Sequence, residues 1–191
     1  RFFYVNVLEA DGKKAFNHGR SGRSPWFGTA CCPSNMARLI PQVPGMIYSH
    51  TADDIFCGFY ASSSTEVPLE SGRVKLTQQT DYPFDGAIHI EVSPAVEDAE
   101  FTLWLRIPTW CNDRFVPGEL YRYADRSSAR IMASVNGKKV STKTADGYLP
   151  IKRQWKAGDK VTLELPMPVR YSVAHELVKA DSNRVCITRG P

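Results

Sequence analysis

Two adjacent cysteines, Cys31 and Cys32, are the residues of this chain whose types and spacing are best suited to chemistry. Pro33 follows them, and proline is favoured in the first turn of a helix, where its missing N–H would have no partner anyway. Thiols at a helix N-terminus lie near unpaired N–H groups and the positive end of the helix dipole, which favours the thiolate. The pair is therefore predicted to bind a metal ion or to attack an electrophile.

Zinc suits such a pair, but the rest of the sequence does not complete a site. Zinc takes four ligands in a tetrahedron, and no C-x-x-C or H-x-x-x-H spacing supplies the other two. The histidines are scattered along the chain: His18, His50, His89 and His175. By spacing alone, two buried thiols at the start of a helix remain the simpler explanation.

The other three cysteines are predicted to be structural. Cys57 and Cys186 lie inside apolar, strand-like runs, where a buried and inert thiol is expected. Cys111 follows Trp110 at the end of such a run. Five cysteines in 191 residues are too sparse, and odd in number, for a disulfide scaffold.

The element that presents the thiol pair is predicted to be the only substantial helix, over residues 33–43. Its apolar residues recur at helical spacing: Met36, Leu39, Ile40 and Val43. Pro41 and Pro44 kink or end it. One short helix cannot bury its own apolar face, so it needs further partners or must lie against the later part of the chain.

From residue 51 onward the hydrophobic period changes from helical to two. Ile88, Ile90 and Val92, for example, alternate with polar residues, as in a strand with one buried face. Turn signals separate the runs: Asn136-Gly137, Asp146-Gly147 and Gly158-Asp159. The predicted fold class is mainly β, an antiparallel β-sandwich or jelly roll.

One segment, Asn112–Arg130, does not fit this pattern. It is polar, contains Pro117-Gly118, and is too long for a hairpin loop. Loops of this length are usually functional or disordered. We expect a surface excursion that is packed by its own tyrosines, Tyr121 and Tyr123.

Composition excludes some partners. The chain is 42% hydrophobic and 23% charged, which is ordinary for a globular protein. Its net charge of +4 is small and its basic residues are not clustered, so nucleic acid is not an expected partner. No apolar run is long enough to span a membrane.

Both ends are expected to be internal to a longer protein. Arg1 is not an initiator Met, and the strand-like run from Val185 to Thr188 stops at Pro191. No export signal follows Arg1. Localisation is therefore open between an exported (periplasmic or extracellular) and a cytoplasmic bacterial protein, and the oligomeric state is open as well.

The run PWFGTACCPSNMARL around the thiol pair, preceded by FFYVNVLEA and followed by GMIYS, resembles the core of glycoside hydrolase family 127, the β-L-arabinofuranosidase family. Further pieces resemble it in order along nearly the whole chain: YPFDG, LRIPTWC, VNGK, LPMPVR and the final RGP. Two departures are Val7, where the family often has proline, and the length of the Asn112–Arg130 excursion.

The resemblance implies an (α/α)6 barrel that carries the active site, followed by β-sandwich domains. Residues 1–50 would be the C-terminal end of that barrel, a short helical remnant. Residues 51–191 would be a β-sandwich domain, truncated at its C-terminal end. The partners implied are a carbohydrate substrate and the upstream catalytic barrel of the same protein.

The resemblance also implies roles for single residues. A zinc ion would be held by three cysteines and one glutamate, with Cys31 as nucleophile and ligand and Cys32 as a second ligand. The remaining ligands and the acid/base glutamate would belong to upstream segments. Tyr4 and Trp26 lie in matching motifs and would line the sugar site. We expect this chain to be inactive alone.

A non-catalytic function stays open as the alternative. The sandwich could be purely structural and support the barrel, or it could bind sugar on Trp104, Trp110 or Tyr82. Exposed aromatic side chains on one sheet face would favour sugar binding.

Overall fold

The computed structural model describes Lys13, Gly22, residues 31–116 and residues 118–191. The chain divides into two compact units, Arg1–Gly45 and Met46–Pro191. Within the described part of the first unit lies one α-helix, α1 (Cys31–Leu39), which runs into a 3₁₀ helix (Ile40–Met46).

Nearly all regular secondary structure of the second unit is strand, as the alternating pattern predicts. Their bounds are β1 (Tyr48–His50), β2 (Asp54–Cys57), β3 (Ser63–Leu69), β4 (Gly72–Thr80), β5 (Ala87–Pro94), β6 (Ala99–Arg106), β7 (Tyr121–Tyr123), β8 (Met132–Val135), β9 (Lys138–Lys139), β10 (Tyr148–Trp155), β11 (Asp159–Glu164), β12 (Val169–Ala174) and β13 (Cys186–Arg189). Two short 3₁₀ helices, Thr109–Asn112 and Lys179–Asp181, lie between them. The prediction of a mainly β fold is confirmed.

The helix begins two residues before the predicted start, at Cys31 itself. Pro33 still lies in its first turn, where no backbone donor is lost. The backbone tightens into the 3₁₀ helix at Ile40, next to Pro41, and Pro44 lies within this second segment. The apolar side chains expected to be buried are exposed instead: Met36, Leu39, Ile40 and Val43.

The strands of the described residues form three sheets, in which all pairings but one are antiparallel. A four-stranded sheet has the order β1-β2-β6-β10, and within it β2 and β6 run parallel. A six-stranded sheet has the order β3-β4-β5-β11-β8-β9. A small third sheet has the order β13-β12-β7.

A hydrophobic core joins the two larger sheets. Ile55, Leu103 and Leu149 of the four-stranded sheet and Leu76 and Ile88 of the six-stranded sheet are fully buried members of one cluster. Alternate residues of these strands point outward and are exposed or half-buried, as the period of two predicts. This packing of two sheets is a β-sandwich.

The predicted turns are confirmed where the chain reverses. β8 and β9 are joined by Asn136 and Gly137, whose φ angles of 52° and 75° are those of a tight hairpin. Asp146 and Gly147 also have positive φ, 50° and 82°.

The excursion between Asn112 and Arg130 is anchored through the third sheet. Its strand β7 pairs with β12, so a polar loop becomes an edge of that sheet. Tyr123 is buried and contacts Phe115 edge-on, with ring centroids 5.5 Å apart. The hydroxyl of Tyr121 donates to Asp181, 3.0 Å away. The tyrosines therefore pack the excursion against later parts of the chain as well as against itself.

Candidate active site

The thiol pair occupies the first turn of α1. Cys31 is the first helical residue and Cys32 the second, and both are exposed. Their Sγ atoms are 3.8 Å apart, so both side chains point to the same side of the turn. The Ser34 hydroxyl donates to the Cys31 carbonyl oxygen at 2.8 Å and closes the turn.

The separation of the two sulfur atoms fits zinc. A tetrahedral ion with Zn–S bonds of about 2.3 Å requires its sulfur ligands to be about 3.8 Å apart. The observed Sγ–Sγ distance is 3.8 Å. Across the described residues, no cluster of three or more His, Cys, Asp or Glu side chains is found that could hold a metal.

The two other predicted site residues, Tyr4 and Trp26, lie outside the described residues. The structure therefore places the two thiols together and leaves the prediction for the two aromatic residues as it stands.

The remaining cysteines lie in three different environments. Cys57 is fully buried, and burial raises the pKa of its thiol to about 12, as expected for an inert core residue. Cys111 is half-buried beside the core, and desolvation likewise raises its pKa to about 12. The prediction that Cys186 is buried is wrong, because β13 is the edge strand of the third sheet and Cys186 is exposed there.

The aromatic residues considered for sugar stacking are largely engaged within the fold. Trp104 stacks on Phe56 with ring centroids 5.6 Å apart and is only partly exposed. Tyr82 and Trp110 are partly buried and pack against the core. These three rings do not form an exposed aromatic platform.

Sequence reasoning missed one charged cluster, centred on the buried Arg170. Its guanidinium contacts the carboxylates of Asp113 (2.5 Å) and Asp125 (3.3 Å), and lies 3.7 Å from the ring centroid of Tyr123. Desolvation raises the pKa of Asp113, but hydrogen bonds from Arg170 and from the Ser127 N–H leave that pKa below its usual value. Arg170 is the last residue of the LPMPVR motif, and this motif is the feature of the sequence that could have drawn attention to the cluster. The cluster ties the excursion to β12.

Within the described residues, no helix is both long enough and apolar enough to cross a lipid bilayer.

Comparison with known proteins gives a consistent assignment. Residues 54–167 match the family described as "Beta-L-arabinofuranosidase, GH127 middle domain". The whole chain aligns at 31% identity with the non-reducing end β-L-arabinofuranosidase of Bifidobacterium longum subsp. longum, and it spans 27% of that protein's length.

Solved structures agree with the sequence match. A GH127 β-arabinofuranosidase superposes on the whole chain with a TM-score of 0.87 and 40% identity, and the chain spans 28% of it. A GH127 β-L-arabinofuranosidase from Geobacillus stearothermophilus T6 gives a TM-score of 0.82 and 38% identity, again over 28% of its length. The matched region covers more than half of the chain, and the chain belongs to the GH127 family.

Proposed function

We propose that this chain is part of a retaining glycoside hydrolase that releases terminal β-linked L-arabinofuranose, or a related plant-glycan sugar, with Cys31 as the nucleophile. One observation carries the proposal: two exposed thiols, 3.8 Å apart, open a helix within the family's motif. The relatives are described as β-L-arabinofuranosidases, which supplies the substrate class.

Retention of configuration requires two displacements at the anomeric carbon. In the first, the Cys31 sulfur forms a bond to that carbon as the bond to the leaving oxygen breaks, and the oxygen takes a proton from an acid. In the second, water displaces the sulfur and gives its proton to the same residue acting as base. The acid/base residue is expected from upstream segments of the protein.

Cys31 is suited to the first displacement by its place in the fold. The sulfur lies at the N-terminal end of α1, where the positive end of the helix dipole favours a negative charge. The side chain is exposed, which leaves the sulfur accessible to a sugar. Tyr4 and Trp26 would line the sugar site.

Cys31 and Cys32 are the residues that would hold zinc. When bound, the ion would keep the sulfur deprotonated and reduce its basicity, so that it departs more readily in the second displacement. Because this chain supplies two ligands of four and no acid/base residue, the isolated 191 residues are expected to be inactive. We interpret residues 1–50 as the end of the catalytic barrel and residues 51–191 as the sandwich that comes after it.

The proposal is tested by replacing Cys31 with Ser in the full-length protein. Turnover of an aryl β-L-arabinofuranoside should be abolished, because a hydroxyl near neutral pH is less acidic and less nucleophilic than a thiol. Cys186→Ser is the matched control, since that thiol is also exposed but lies on β13. NMR of the first product formed by the wild-type enzyme should show retention. A fully active Cys31→Ser variant, or inversion, would refute the mechanism.

A further inference from the structure

A polar groove runs along the outer face of the six-stranded sheet. It consists of two adjoining cavities of about 320 and 510 Å³, which share Gln79 of β4 and His89 of β5. The smaller cavity is completed by the turn after β4 and the larger by β11. Other residues that line the groove include Thr77, Asp81, Asp85, Glu91, Lys160 and Thr162.

Strand register arranges the groove's side chains in two rows. Gln79, His89 and Thr162 are direct cross-strand neighbours, and so are Thr77, Glu91 and Lys160. Neighbouring strands are about 4.8 Å apart, so each row presents hydrogen-bonding groups at short, regular intervals. The two rows lie on one face because their residues are two apart along each strand.

Several of these groups have no protein partner. Within residues 31–116 and 118–191, the side chains of Gln79, Asp81 and Glu91 make no hydrogen bond or ion pair to another described residue. His89 is held by one ring nitrogen, with Nδ1 3.3 Å from the Thr162 hydroxyl. The groove therefore offers amide, carboxylate and imidazole groups that are free to bind a ligand.

An exposed aromatic residue, Phe84, lies on the turn that completes the smaller cavity, although it does not itself line that cavity. Phe84 is 82% exposed and lies in the chain between Asp81 and Asp85, which both line the smaller cavity. The Phe84 N–H donates to the Asp81 carbonyl at 2.9 Å, and its own carbonyl accepts from Arg189 at 2.7 Å. These two hydrogen bonds fix the backbone that carries the ring, so the turn loses little conformational entropy when a ligand covers it.

Gly86, at the end of this turn, shows how closely the turn is packed. A Cβ atom on Gly86 would lie 1.9 Å from the carbonyl oxygen of Leu165, so the backbone there admits glycine alone. The Gly86 carbonyl also accepts a hydrogen bond from the Leu165 N–H at 2.9 Å. The turn is thereby fixed to the end of β11.

We propose that this groove binds a neutral glycan chain. Sugar hydroxyls both donate and accept hydrogen bonds, and so match a mixed set of unpaired amide, carboxylate and imidazole groups. The apolar face of a sugar ring can pack on an exposed aromatic ring such as Phe84. The carboxylates of Asp81, Asp85 and Glu91 outnumber the single Lys160 ammonium among these lining residues, which disfavours an anionic polymer.

Affinity electrophoresis of the full-length protein tests the proposal. Native gels would contain soluble arabinoxylan or arabinan, with dextran and a polymer-free gel as references. Phe84→Ala and Gln79→Ala leave the net charge unchanged and remove one exposed group each. Thr65→Ala and Val96→Ala are the matched controls: a hydroxyl on β3 and a 52% exposed apolar residue in the loop after β5, neither of which lines the groove.

The wild-type protein should be retarded by at least one of the two plant polysaccharides. Each groove variant should bind it roughly three- to tenfold more weakly, the effect of one lost hydrogen bond or ring contact. The controls should bind as the wild type does. Wild-type mobility that no polysaccharide changes, or groove variants retarded as strongly as the wild type, would overturn the proposal. Both outcomes are independent of hydrolysis at Cys31.

Discussion

Thiols of the same chemical type behave differently in this protein because their surroundings differ. Cys31 and Cys32 lie exposed at the start of a helix, with their sulfur atoms 3.8 Å apart. Cys57 lies in the core, where its sulfur is 3.3 Å from the Phe59 carbonyl oxygen and 3.7 Å from the Gln78 side-chain oxygen, either of which can accept its hydrogen. Chemistry is therefore expected from the adjacent pair and packing from Cys57.

The contrast between Cys57 and Cys186 can be measured as stability. Cys57→Ala should lower the free energy of unfolding by about 1–2 kcal/mol, because it leaves a small cavity and removes a buried polar contact. Cys186→Ala should change it by less than about 0.5 kcal/mol, because that side chain is exposed. Urea denaturation of the full-length variants checks this, and equal costs for the two would contradict the assigned environments.

At this scale the sequence predicted the position of the thiols better than the burial of the cysteines. The adjacent cysteines and the proline after them are local signals, and they placed the thiols at the N-terminal end of the helix, which begins at Cys31 rather than at residue 33. Whether Cys186 is buried depends on whether strands cover β13 on both sides. β13 is paired on one side only, with β12. An apolar run alone does not carry that information.

Among the elements, the excursion from Asn112 to Arg130 depends on one buried cation. Arg170 of β12 contacts Asp113 and Asp125, which lie on either side of β7. The Asp125 backbone carbonyl accepts a further hydrogen bond from the same guanidinium at 2.6 Å. These contacts hold the chain before and after β7 to β12.

Arg170→Leu should therefore loosen the excursion. Hydrogen bonds to charged groups contribute about 1.5–3 kcal/mol each, so local opening should become easier and tryptic cleavage roughly tenfold faster or more. The sites to follow by mass spectrometry are Arg114, Arg122, Arg126 and Arg130. Arg73→Leu is the control, because its ion pair with Glu66 is exposed. Unchanged cleavage in Arg170→Leu would show that other contacts hold the segment.

Gly86 gives a second test at the level of elements. Gly86→Ala should destabilise the protein by about 3 kcal/mol or more, since the new methyl group meets the backbone at Leu165 and neither can move freely. Gly45→Ala should be nearly neutral, because nothing lies within 4 Å of its added Cβ. Thermal unfolding of both variants tests this prediction. Equal melting temperatures would show that the Gly86 backbone does not lie so close to the Leu165 carbonyl.

The strands were predictable, but their assembly was not. Alternation identified the strands with one buried face, and Asn136-Gly137 located the β8–β9 hairpin. The parallel pairing of β2 with β6 and the third sheet are contacts between segments far apart in sequence. Such pairings depend on tertiary packing, which local patterns do not encode.

At the scale of the whole molecule, the chain is short beside its relatives. It spans 27–29% of the length of the proteins it matches. Its described residues bring two thiols together but form no cluster of three metal-binding side chains. The resemblance to the family leads us to expect the rest of the zinc site and the acid/base residue in upstream segments of the protein.

The zinc content should differ between the full-length protein and the 191-residue chain, because the expected ligands are shared between this chain and other segments. Elemental analysis should find one zinc per chain in the full-length protein and weak or mixed binding in the 191-residue chain. Cys32→Ser in the full-length protein should lose both zinc and activity. A tightly bound, stoichiometric zinc in the isolated chain would show that the count of ligands is wrong.

Trapping the covalent intermediate tests the role of Cys31 most directly. The full-length enzyme is quenched with acid during turnover of an activated aryl β-L-arabinofuranoside, digested, and analysed by peptide mass spectrometry. We expect an added anhydropentose on the sulfur of Cys31, present in the wild type and absent from Cys31→Ser. An adduct on a carboxylate or on Cys32, or a fully active Cys31→Ser variant, would contradict the proposed mechanism.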